Sequence, residues 1–241
     1  MDAATLLLPQ LGVTFGAPIP PCQRLLVAGG RAPADDWLRL AAGDRELWCI
    51  DHGLDCCHRI GLLPAHVFGD GDSASPAAWR WAEEHSVPME HYPTAKDLTD
   101  TQMALSFAAN QGEAFLLVTG CFGGRLDHLY SVLHSCASAA LPCCLSDERE
   151  TVVLLRGGES ARLSRRGAKP RPHALSLLPM TPVCEGVSID RVRWPLYEAT
   201  LRQSLPYAVS NVPSDEAHAG EPVTVSIASG ILAVYLCWTE R

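Results

Sequence analysis

Residues 114–128 read AFLLVTGCFGGRLDH, and this stretch decides the fold class. The apolar run from Ala114 to Thr119 is typical of a buried strand, and it ends in Gly120. The residues from Leu126 to about Ala140 favour a helix. A strand that passes through a glycine loop into a helix is the building unit of a parallel sheet, because parallel strands need a crossover connection.

The same unit recurs on the N-terminal side of this stretch. Helix signals lie between the apolar runs: Ser75-Pro76 offers a cap followed by proline, and Thr99 with Gln102 has capping-box spacing. We therefore predict an α/β domain with a parallel, Rossmann-like sheet over residues 23–146. The other strand ends are Leu25 to Ala28 before Gly29-Gly30, Leu47 to Ile50 before Asp51-His52-Gly53, and His66 to Phe68 before Gly69-Asp70.

Residues 147–241 have a different pattern, with short strand-like runs and little helical periodicity. We predict an all-β sandwich domain there, with a hairpin at Ser229-Gly230, a basic surface loop over Arg162 to Arg171 and a weak helical stretch near Glu198 to Gln203. Residues 1–22 are rich in proline and predict an irregular arm. The predicted strands are Thr151 to Leu155, Ala174 to Leu178, Val187 to Val192, Tyr207 to Val209, Val223 to Ile227 and Ile231 to Leu236.

Composition excludes several classes of protein. With 47% hydrophobic and 19% charged residues, the 241-residue chain can bury a sizeable core. A formal net charge of −8 argues against a nucleic-acid partner, which normally requires a basic face. No apolar run approaches the length of about 20 residues that spans a bilayer. The N-terminus lacks a secretory signal, so we expect a cytoplasmic protein without a membrane partner.

The ten cysteines allow two interpretations. No C-x-x-C pair occurs, so the spacing favours buried or idle thiols in a reducing compartment. A zinc site is the alternative, built from Cys49, Cys56 and Cys57 with His52 or His58.

Two acidic clusters follow predicted strands. The first is Gly69-Asp70-Gly71-Asp72-Ser73, and the second is Lys96-Asp97-Leu98-Thr99-Asp100. Carboxylates are hard oxygen ligands of the kind that Mg²⁺ prefers, and four of them at neighbouring strand ends would repel one another without a cation. Taken alone, each cluster is also compatible with a solvated turn or with a favourable charge at a helix N-terminus. Together they predict one or two Mg²⁺ ions.

The glycine–arginine loop from Thr119 to His128 offers backbone amides and the guanidinium of Arg125 to an anion. Asp51 lies at the same predicted edge of the sheet. In the β domain, Trp194-Pro195-Leu196 and Ser210-Asn211 stand out, although the tryptophan could be core and Ser-Asn could be a turn. These features predict metal-assisted chemistry on a polyphosphate.

In combination, these residues resemble the thiamine pyrophosphokinase family. The resemblance covers the chain from about residue 24 to its end. It rests on Asp51-His52-Gly53, the two acidic clusters, Thr119-Gly120, Gly123 to His128, Leu177-Leu178-Pro179, Trp194-Pro195-Leu196 and Ser210-Asn211.

The resemblance implies an ATP-binding α/β domain, a β-sandwich domain for thiamine binding and dimerisation, and a homodimer with active sites between subunits. The implied reaction transfers the diphosphate of ATP to the hydroxyethyl group of thiamine, giving thiamine diphosphate and AMP. The implied catalytic residues are Asp70, Asp72, Asp97, Asp100 and Arg125, and the four aspartates would also hold Mg²⁺. The implied ATP contacts are Asp51, Ser73, Lys96, Thr119, Gly120, Gly124, Arg125, Asp127 and His128, and the implied thiamine contacts are Trp194, Ser210 and Asn211.

Two positions depart from the family pattern. His52 replaces a residue that is commonly glycine, and Gly71 replaces one that is commonly bulky. Both leave the carboxylates in place but change the expected shape of their loops.

Two other functions fit the same residues. A pyrophosphokinase for another hydroxyalkyl heterocycle, such as a hydroxymethylpterin, would keep the aspartates and the glycine–arginine loop. A nucleotide or thiamine sensor would bind without turnover. The sequence also leaves the general base open between Asp97 and Asp100.

Overall fold

The computed structural model describes residues 4–69, 71–91, 97–166, 171–214 and 220–239. Asp70 and Lys96, both predicted site residues, lie outside these ranges. The chain divides into two compact units. The α/β unit is Pro20–Asp147, and the β unit combines Met1–Ile19 with Glu148–Arg241.

In chain order the elements are β1 (Thr5–Leu7), β2 (Leu11–Phe15), β3 (Gln23–Val27), α1 (Asp35–Ala42), β4 (Glu46–Ile50), α2 (Gly53–Ile60), β5 (His66–Gly69), α3 (Pro76–Glu84), β6 (Met89–His91), α4 (Asp100–Asn110), β7 (Phe115–Thr119), α5 (Leu126–Ser138), β8 (Cys143–Ser146), β9 (Glu150–Arg156), β10 (Ser160–Arg165), β11 (Ala174–Pro179), β12 (Val183–Asp190), β13 (Leu196–Arg202), β14 (Val223–Ser226) and β15 (Ile231–Cys237). None of the helices in these described parts has the length and hydropathy of a membrane-spanning segment.

The α/β unit contains six strands in the order β8-β7-β3-β4-β5-β6, and every neighbouring pair is parallel. The central strand β3 is in register with both neighbours, since Leu25 lies opposite Leu47 and Leu117. All three leucines are buried. Continuous apolar runs such as Phe115–Thr119 form these strands because a parallel sheet is buried on both faces.

Local signals fix where two helices begin. The Ser75 side chain accepts a hydrogen bond from the backbone N–H of Ala78 and caps α3, whose first residue is Pro76. Thr99 and Gln102 form a reciprocal capping box at the start of α4. Both predicted helix starts are confirmed. These two caps fix the direction of the helices that directly follow the two acidic clusters.

The β unit contains two groups of antiparallel strands. One group has the order β1-β2-β10-β14-β12-β13, and the other has the order β11-β15-β9. Alternation places Val13, Leu163 and Val225 in the core from the first group. Leu232 and Val234 are fully buried on the second group.

Several predictions for the β unit are wrong. Part of the N-terminal arm is not irregular, because β1 and β2 add two strands to the edge of β10. The basic stretch begins inside a strand, since Arg162 and Arg165 belong to β10. Residues 198–203 are not helical, because most of them belong to β13, which pairs with β12.

The predicted hairpin at Ser229-Gly230 is also wrong. Strand β14 pairs with β10 and β12, whereas β15 pairs with β11 and β9, so the chain changes sheet at this turn. Hydrogen bonds from another segment hold the turn: Glu185 N–H donates to the Ser229 carbonyl, and Ile231 N–H donates to the Thr181 hydroxyl. The predicted strand at residues 207–209 is likewise absent from the described structure.

Candidate active site

A cleft of about 420 Å³ lies at the carboxyl ends of strands of the α/β unit. Predicted ATP or metal residues from three separate motifs meet there: Asp51 after β4, Asp100 at the start of α4, and Asp127 with His128 on α5. The remaining lining residues are Leu98, Thr99, Thr101, Ser131 and Val132. The cleft is therefore acidic, and apolar side chains form part of its wall.

Asp51 links the cleft to the first acidic cluster. Its backbone is in the left-handed region, with φ of +50°, and its N–H donates to the Phe68 carbonyl at 2.9 Å. A side chain at Gly69 would collide with the Asp51 carboxylate oxygen Oδ1. Glycine at position 69 thus allows the Asp51 carboxylate to lie directly against the backbone that precedes Asp70.

His52 connects the loops after β4 and β5. Its Nδ1 lies 3.1 Å from Asp55 Oδ2 and 3.3 Å from the carbonyl oxygen of Ser73. The same Asp55 oxygen, Oδ2, also accepts a hydrogen bond from the backbone N–H of Ser75 at 3.0 Å. His52 has ordinary helical backbone angles (φ −58°), so its departure from the common glycine introduces no strain.

Gly71 has a backbone that favours glycine, with φ of +81°. A Cβ atom there would lie 3.3 Å from the indole ring of Trp79. The Trp79 ring therefore occupies the space into which a bulky side chain at position 71 would project. The neighbouring Asp72 and Ser73 are exposed.

The second acidic cluster presents two described carboxylates. Asp97 is exposed, and Asp100 is half-buried as the first residue of α4. A negative charge at this position also interacts favourably with the helix N-terminus. Of this pair, Asp100 lines the cleft and Asp97 does not.

The donor set of the cleft is compatible with Mg²⁺. Within residues 4–69, 71–91, 97–166, 171–214 and 220–239, no group of three or more His, Cys, Asp or Glu side chains is close enough to hold a metal. Asp70 lies outside these ranges. Mg²⁺ is usually bound by one or two carboxylates together with waters and substrate phosphates, and Asp51 and Asp100 offer two carboxylates in one cleft.

The alternative zinc site receives no support. Cys49, Cys56 and Cys57 are buried free thiols, and no metal-binding group forms around them in the described part of the chain. Burial raises the pKa of the Cys49 and Cys56 thiols, which disfavours the thiolate that binds zinc.

The glycine–arginine loop is held by the loop that follows β3. Gly30 N–H donates to the Gly120 carbonyl at 2.6 Å, and Arg31 N–H donates to the Phe122 carbonyl at 2.8 Å. The Arg31 guanidinium in turn donates to Asp147 Oδ2 at 2.6 and 3.1 Å, and Asp147 is fully buried. The sequence patterns did not identify Arg31 or Asp147. The pair Gly29-Gly30 at a strand end was nevertheless a signal that another backbone segment lies close to this loop.

Arg125 and Asp127 form an exposed ion pair at 2.6 Å. Hydrogen bonding from Arg125 holds the pKa of the Asp127 carboxyl below its ordinary value. The Asp127 carboxylate also accepts the backbone N–H of His128 at 3.0 Å. The pair therefore places an exposed guanidinium and an exposed carboxylate at the start of α5.

Thr119 and Gly124 complete the loop. The Thr119 side chain is fully buried at the end of β7, and its hydroxyl has no hydrogen-bond partner among the described residues. Gly124 has φ of +67°, and no heavy atom lies within 4 Å of a Cβ built there, so a ligand can approach its backbone from that side.

A second cavity, of about 300 Å³, lies within the β unit. It contains two of the three predicted thiamine residues, Trp194 and Asn211, and its other lining residues are Leu175, Leu177, Ile189, Leu196, Tyr207, Ala208 and Val209. Ser210 does not line it, and its N–H donates to Ser176 Oγ at 3.1 Å. Tyr207 was not predicted, and no sequence signal distinguished it from other aromatic residues.

The Asn211 amide fixes the backbone of Trp194. Asn211 Nδ2 donates to the Trp194 carbonyl at 2.7 Å, and Asn211 Oδ1 accepts the Trp194 N–H at 3.1 Å. Trp194 is 55% exposed, and the Arg193 guanidinium lies 4.9 Å from its ring centroid. The Trp194 side chain thus lies on the surface rather than in the core, and the Asn211 amide fixes the position of its backbone.

Comparison with known proteins finds similarity to thiamine pyrophosphokinases. A sequence model of the family described as "Thiamin pyrophosphokinase, catalytic domain" matches residues 39–144, which include the whole acidic cleft. The resemblance to the thiamine pyrophosphokinases is confirmed. The thiamine pyrophosphokinase of Bacillus subtilis strain 168 is 27% identical over 138 residues, which are 56% of this chain. The match spans 64% of that relative's length.

Solved thiamine pyrophosphokinase structures share the fold. The Bacillus subtilis structure has a TM-score of 0.73 at 21% identity, and it covers 90% of this chain and 100% of its own. A family protein from Enterococcus faecalis has a TM-score of 0.73 at 24% identity with the same coverage. The Candida albicans enzyme has a TM-score of 0.70 at 16% identity, covering 89% of this chain and 90% of its own.

Proposed function

We propose that the protein is an ATP:thiamine diphosphotransferase, which uses Mg²⁺ to form thiamine diphosphate and AMP. The observation that carries the proposal is the cleft that unites Asp51, Asp100, Asp127 and His128 inside the segment matched to the catalytic-domain family. In this proposal the α/β unit is a Rossmann-like ATP-binding domain, and the β unit is a thiamine-binding sandwich.

The ATP phosphates would lie along the acidic cleft and the glycine–arginine loop. Arg125 would exchange its contact with Asp127 for phosphate oxygens, and the backbone near Gly120 and Gly124 would approach the same anion. Bound Mg²⁺ would neutralise part of the phosphate charge. Its protein ligands would come from Asp51 and Asp100 together with the predicted Asp70, Asp72 and Asp97.

Thiamine would bind in the β-unit cavity. Its flat pyrimidine and cationic thiazolium suit an aromatic surface, and Trp194 with Tyr207 provides one. Asn211 would act through Trp194, because both ends of its amide contact that residue's backbone. Ser210 remains a predicted contact without support from the lining of the cavity.

The reaction requires an in-line attack. The thiamine hydroxyl oxygen forms a bond to the β-phosphorus, and the bond from that phosphorus to the α,β-bridging oxygen breaks, so AMP leaves. Asp100 or Asp97 would accept the hydroxyl proton. Arg125 and the predicted Lys96 would stabilise the charge on the transferred oxygens, and most of the rate would come from this positioning and charge neutralisation.

Removing the Trp194 ring should weaken thiamine binding selectively. Trp194→Ala is expected to raise the thiamine KM roughly 2- to 30-fold, because stacking and cation–π attraction contribute about 0.5–2 kcal/mol. The KM for ATP should not change. Steady-state kinetics with each substrate varied in turn would measure both constants.

Tyr197→Ala is the matched control for Trp194→Ala. Tyr197 is a neighbouring exposed aromatic residue that does not line the cavity. An unchanged thiamine KM in Trp194→Ala, or an equal rise in both variants, would remove Trp194 from the proposed thiamine site.

A homodimer and a cytoplasmic location are also part of the proposal. The exposed apolar side chain of Leu205 on the β unit is compatible with a covered surface. Light scattering during size-exclusion chromatography should give about twice the 26.0 kDa chain mass. A mass of one chain at micromolar concentration would contradict the dimer.

A substrate panel separates the proposed function from its two rivals. The protein would be incubated with ATP and Mg²⁺ in the presence of thiamine or a hydroxymethylpterin, and AMP and ADP would be quantified. Thiamine-dependent AMP formation supports the proposal. Pterin-dependent AMP formation favours the other pyrophosphokinase, whereas ATP binding with no AMP from either acceptor favours a sensor.

A further inference from the structure

The Arg31 side chain links the ends of three neighbouring strands in the α/β unit. Arg31 lies in the loop after β3, and its Nε and Nη2 atoms donate to Asp147 Oδ2 at 3.1 and 2.6 Å. Asp147 directly follows β8, and β7 lies between β3 and β8 in the sheet. The arginine therefore crosses the carboxyl end of β7, where the glycine–arginine loop begins.

Arg31 also contacts the glycine–arginine loop itself. Its backbone N–H donates to the Phe122 carbonyl at 2.8 Å, and its guanidinium carbon lies 5.9 Å from the centroid of the Phe122 ring. A Cβ atom built at Gly123 would lie 3.1 Å from the Arg31 Cβ, so the lack of a side chain there lets the two loops approach closely. Arg125 follows Gly123 by only two residues. Arg31 therefore holds the backbone immediately before Arg125.

Burial favours a closed Arg31–Asp147 pair. The Asp147 side chain is fully buried, and that of Arg31 is 25% exposed. Separating the two would take this counter-charge away from a buried carboxylate, which is strongly unfavourable. The exposed Arg125–Asp127 pair is different, because an ion pair in contact with water contributes little to holding its own side chains in place. The position of the Arg125 guanidinium thus depends on the loop that Arg31 holds.

We propose that Arg31 is a positioning residue for the phosphate-binding loop. By tying the ends of β3, β7 and β8 together, it holds the loop so that the Arg125 guanidinium faces the transferred phosphates. Arg31 acts through Arg125 rather than by contacting the substrate. This inference rests on the proposed function, in which Arg125 binds phosphate oxygens.

A double substitution tests this role by removing both charges of the buried pair. Arg31→Gln combined with Asp147→Asn should lower kcat/KM for ATP roughly 10- to 100-fold, because a displacement of about 1 Å can cost 10²-fold in rate. The thiamine KM should stay within about twofold of the wild type, since the proposed thiamine cavity belongs to the β unit. An unchanged kcat/KM for ATP, or a similar rise in the thiamine KM, would overturn the assignment.

Arg24 and Glu46 provide a matched control. This arginine–carboxylate pair joins β3 and β4 at their amino ends, with Nε and Oε2 2.7 Å apart. Arg24→Gln combined with Glu46→Gln should leave kcat/KM for ATP within about twofold of the wild type, although it also removes an ion pair of the same unit. Circular dichroism at the assay temperature would establish that both double variants are folded. Equal losses of activity in the two would assign the effect to general destabilisation and refute the positioning role.

Arg31→Lys is a second variant, which decides the matter if the double variant does not fold. Lysine keeps a positive charge beside Asp147 but lacks the planar fork with which Nε and Nη2 donate together. The loop should then be held less precisely, and kcat/KM for ATP should fall roughly three- to tenfold. A wild-type value would contradict the proposal.

The same double substitution in an Arg125→Ala background separates positioning from a direct contact. If Arg31 acts only through Arg125, the added substitutions should change kcat/KM for ATP by no more than about twofold there. A full additional loss would mean that Arg31 acts independently of Arg125, and would refute the proposal.

Calorimetry with MgATP distinguishes failure of this inference from failure of the proposed function. If the wild type forms no AMP with thiamine, the proposed function fails, and the Kd for MgATP replaces kcat/KM as the measured quantity. Loss of MgATP affinity in the double variant but not in the Arg125→Ala background would still support the role of Arg31. Equal losses in both backgrounds would refute it.

Discussion

Asp100→Asn should lower kcat/KM for thiamine-dependent AMP formation roughly 10²- to 10³-fold, as expected for loss of a catalytic carboxylate. Asp100 lines the acidic cleft with Asp51 and Asp127, so the change removes a charge from the proposed metal and proton site. The fold should survive, because the capping box of Thr99 and Gln102 does not use the Asp100 side chain. The rate would be measured with saturating ATP and Mg²⁺ over a range of thiamine concentrations.

Asp44→Asn is the control for Asp100→Asn. Asp44 is an exposed carboxylate in the turn before β4, at the amino end of that strand and outside the cleft. Its replacement should leave the rate within about twofold of the wild type, as for an exposed site away from the reaction. A wild-type rate in Asp100→Asn would refute the role assigned to this carboxylate.

Gly120→Ala should destabilise the α/β unit by about 2–4 kcal/mol, because the new methyl group collides with a backbone oxygen in a strained conformation. Gly120 has φ of +66°, and a Cβ there would overlap the Ala28 carbonyl oxygen. The collision would also displace the loop that carries Arg125. Urea unfolding followed by circular dichroism gives the free energy from the midpoint and slope.

Gly61→Ala separates backbone strain from collision. Gly61 has nearly the same φ, +67°, but no heavy atom lies within 4 Å of a Cβ built there. Its replacement should cost only about 1 kcal/mol, the penalty of the left-handed conformation. An equal loss of stability in the two variants would mean that the close approach of Gly120 to Ala28 contributes nothing.

Local sequence patterns predicted the α/β unit well. Strands such as Phe115–Thr119 are continuous apolar runs, and the helix starts at Ser75 and Thr99 depend on hydrogen bonds within four residues. The eight-residue helices α1 and α2 were not predicted, because each spans about two turns and contributes little periodicity.

The errors concern contacts that are distant in sequence. The strand β2 forms by pairing with β10, about 150 residues later, so the arm alone carries no strong strand signal. Arg31 and Asp147 are 116 residues apart, so no local sequence pattern indicates their ion pair. Ser229-Gly230 has the composition of a hairpin turn, but pairing elsewhere in the β unit directs the two flanking strands into different sheets.

The candidate site was predictable where a strand end fixed it. The carboxyl ends of parallel strands meet at one edge, which brings Asp51 together with the motifs that contain Asp100 and Asp127. The role of Asn211 was not predictable, because its amide contacts the backbone of a residue 17 positions earlier. The departure at His52 became interpretable only once its contacts to Asp55 and Ser73 were known.

The most direct test of the central claim follows the diphosphate group itself. The protein would be incubated with Mg²⁺, thiamine and ATP, and the products would be identified by ³¹P NMR and mass spectrometry. If the acidic cleft supports attack on the β-phosphorus, AMP and thiamine diphosphate appear in equal amounts. Formation of ADP with thiamine monophosphate, or of no thiamine phosphate at all, would contradict the account.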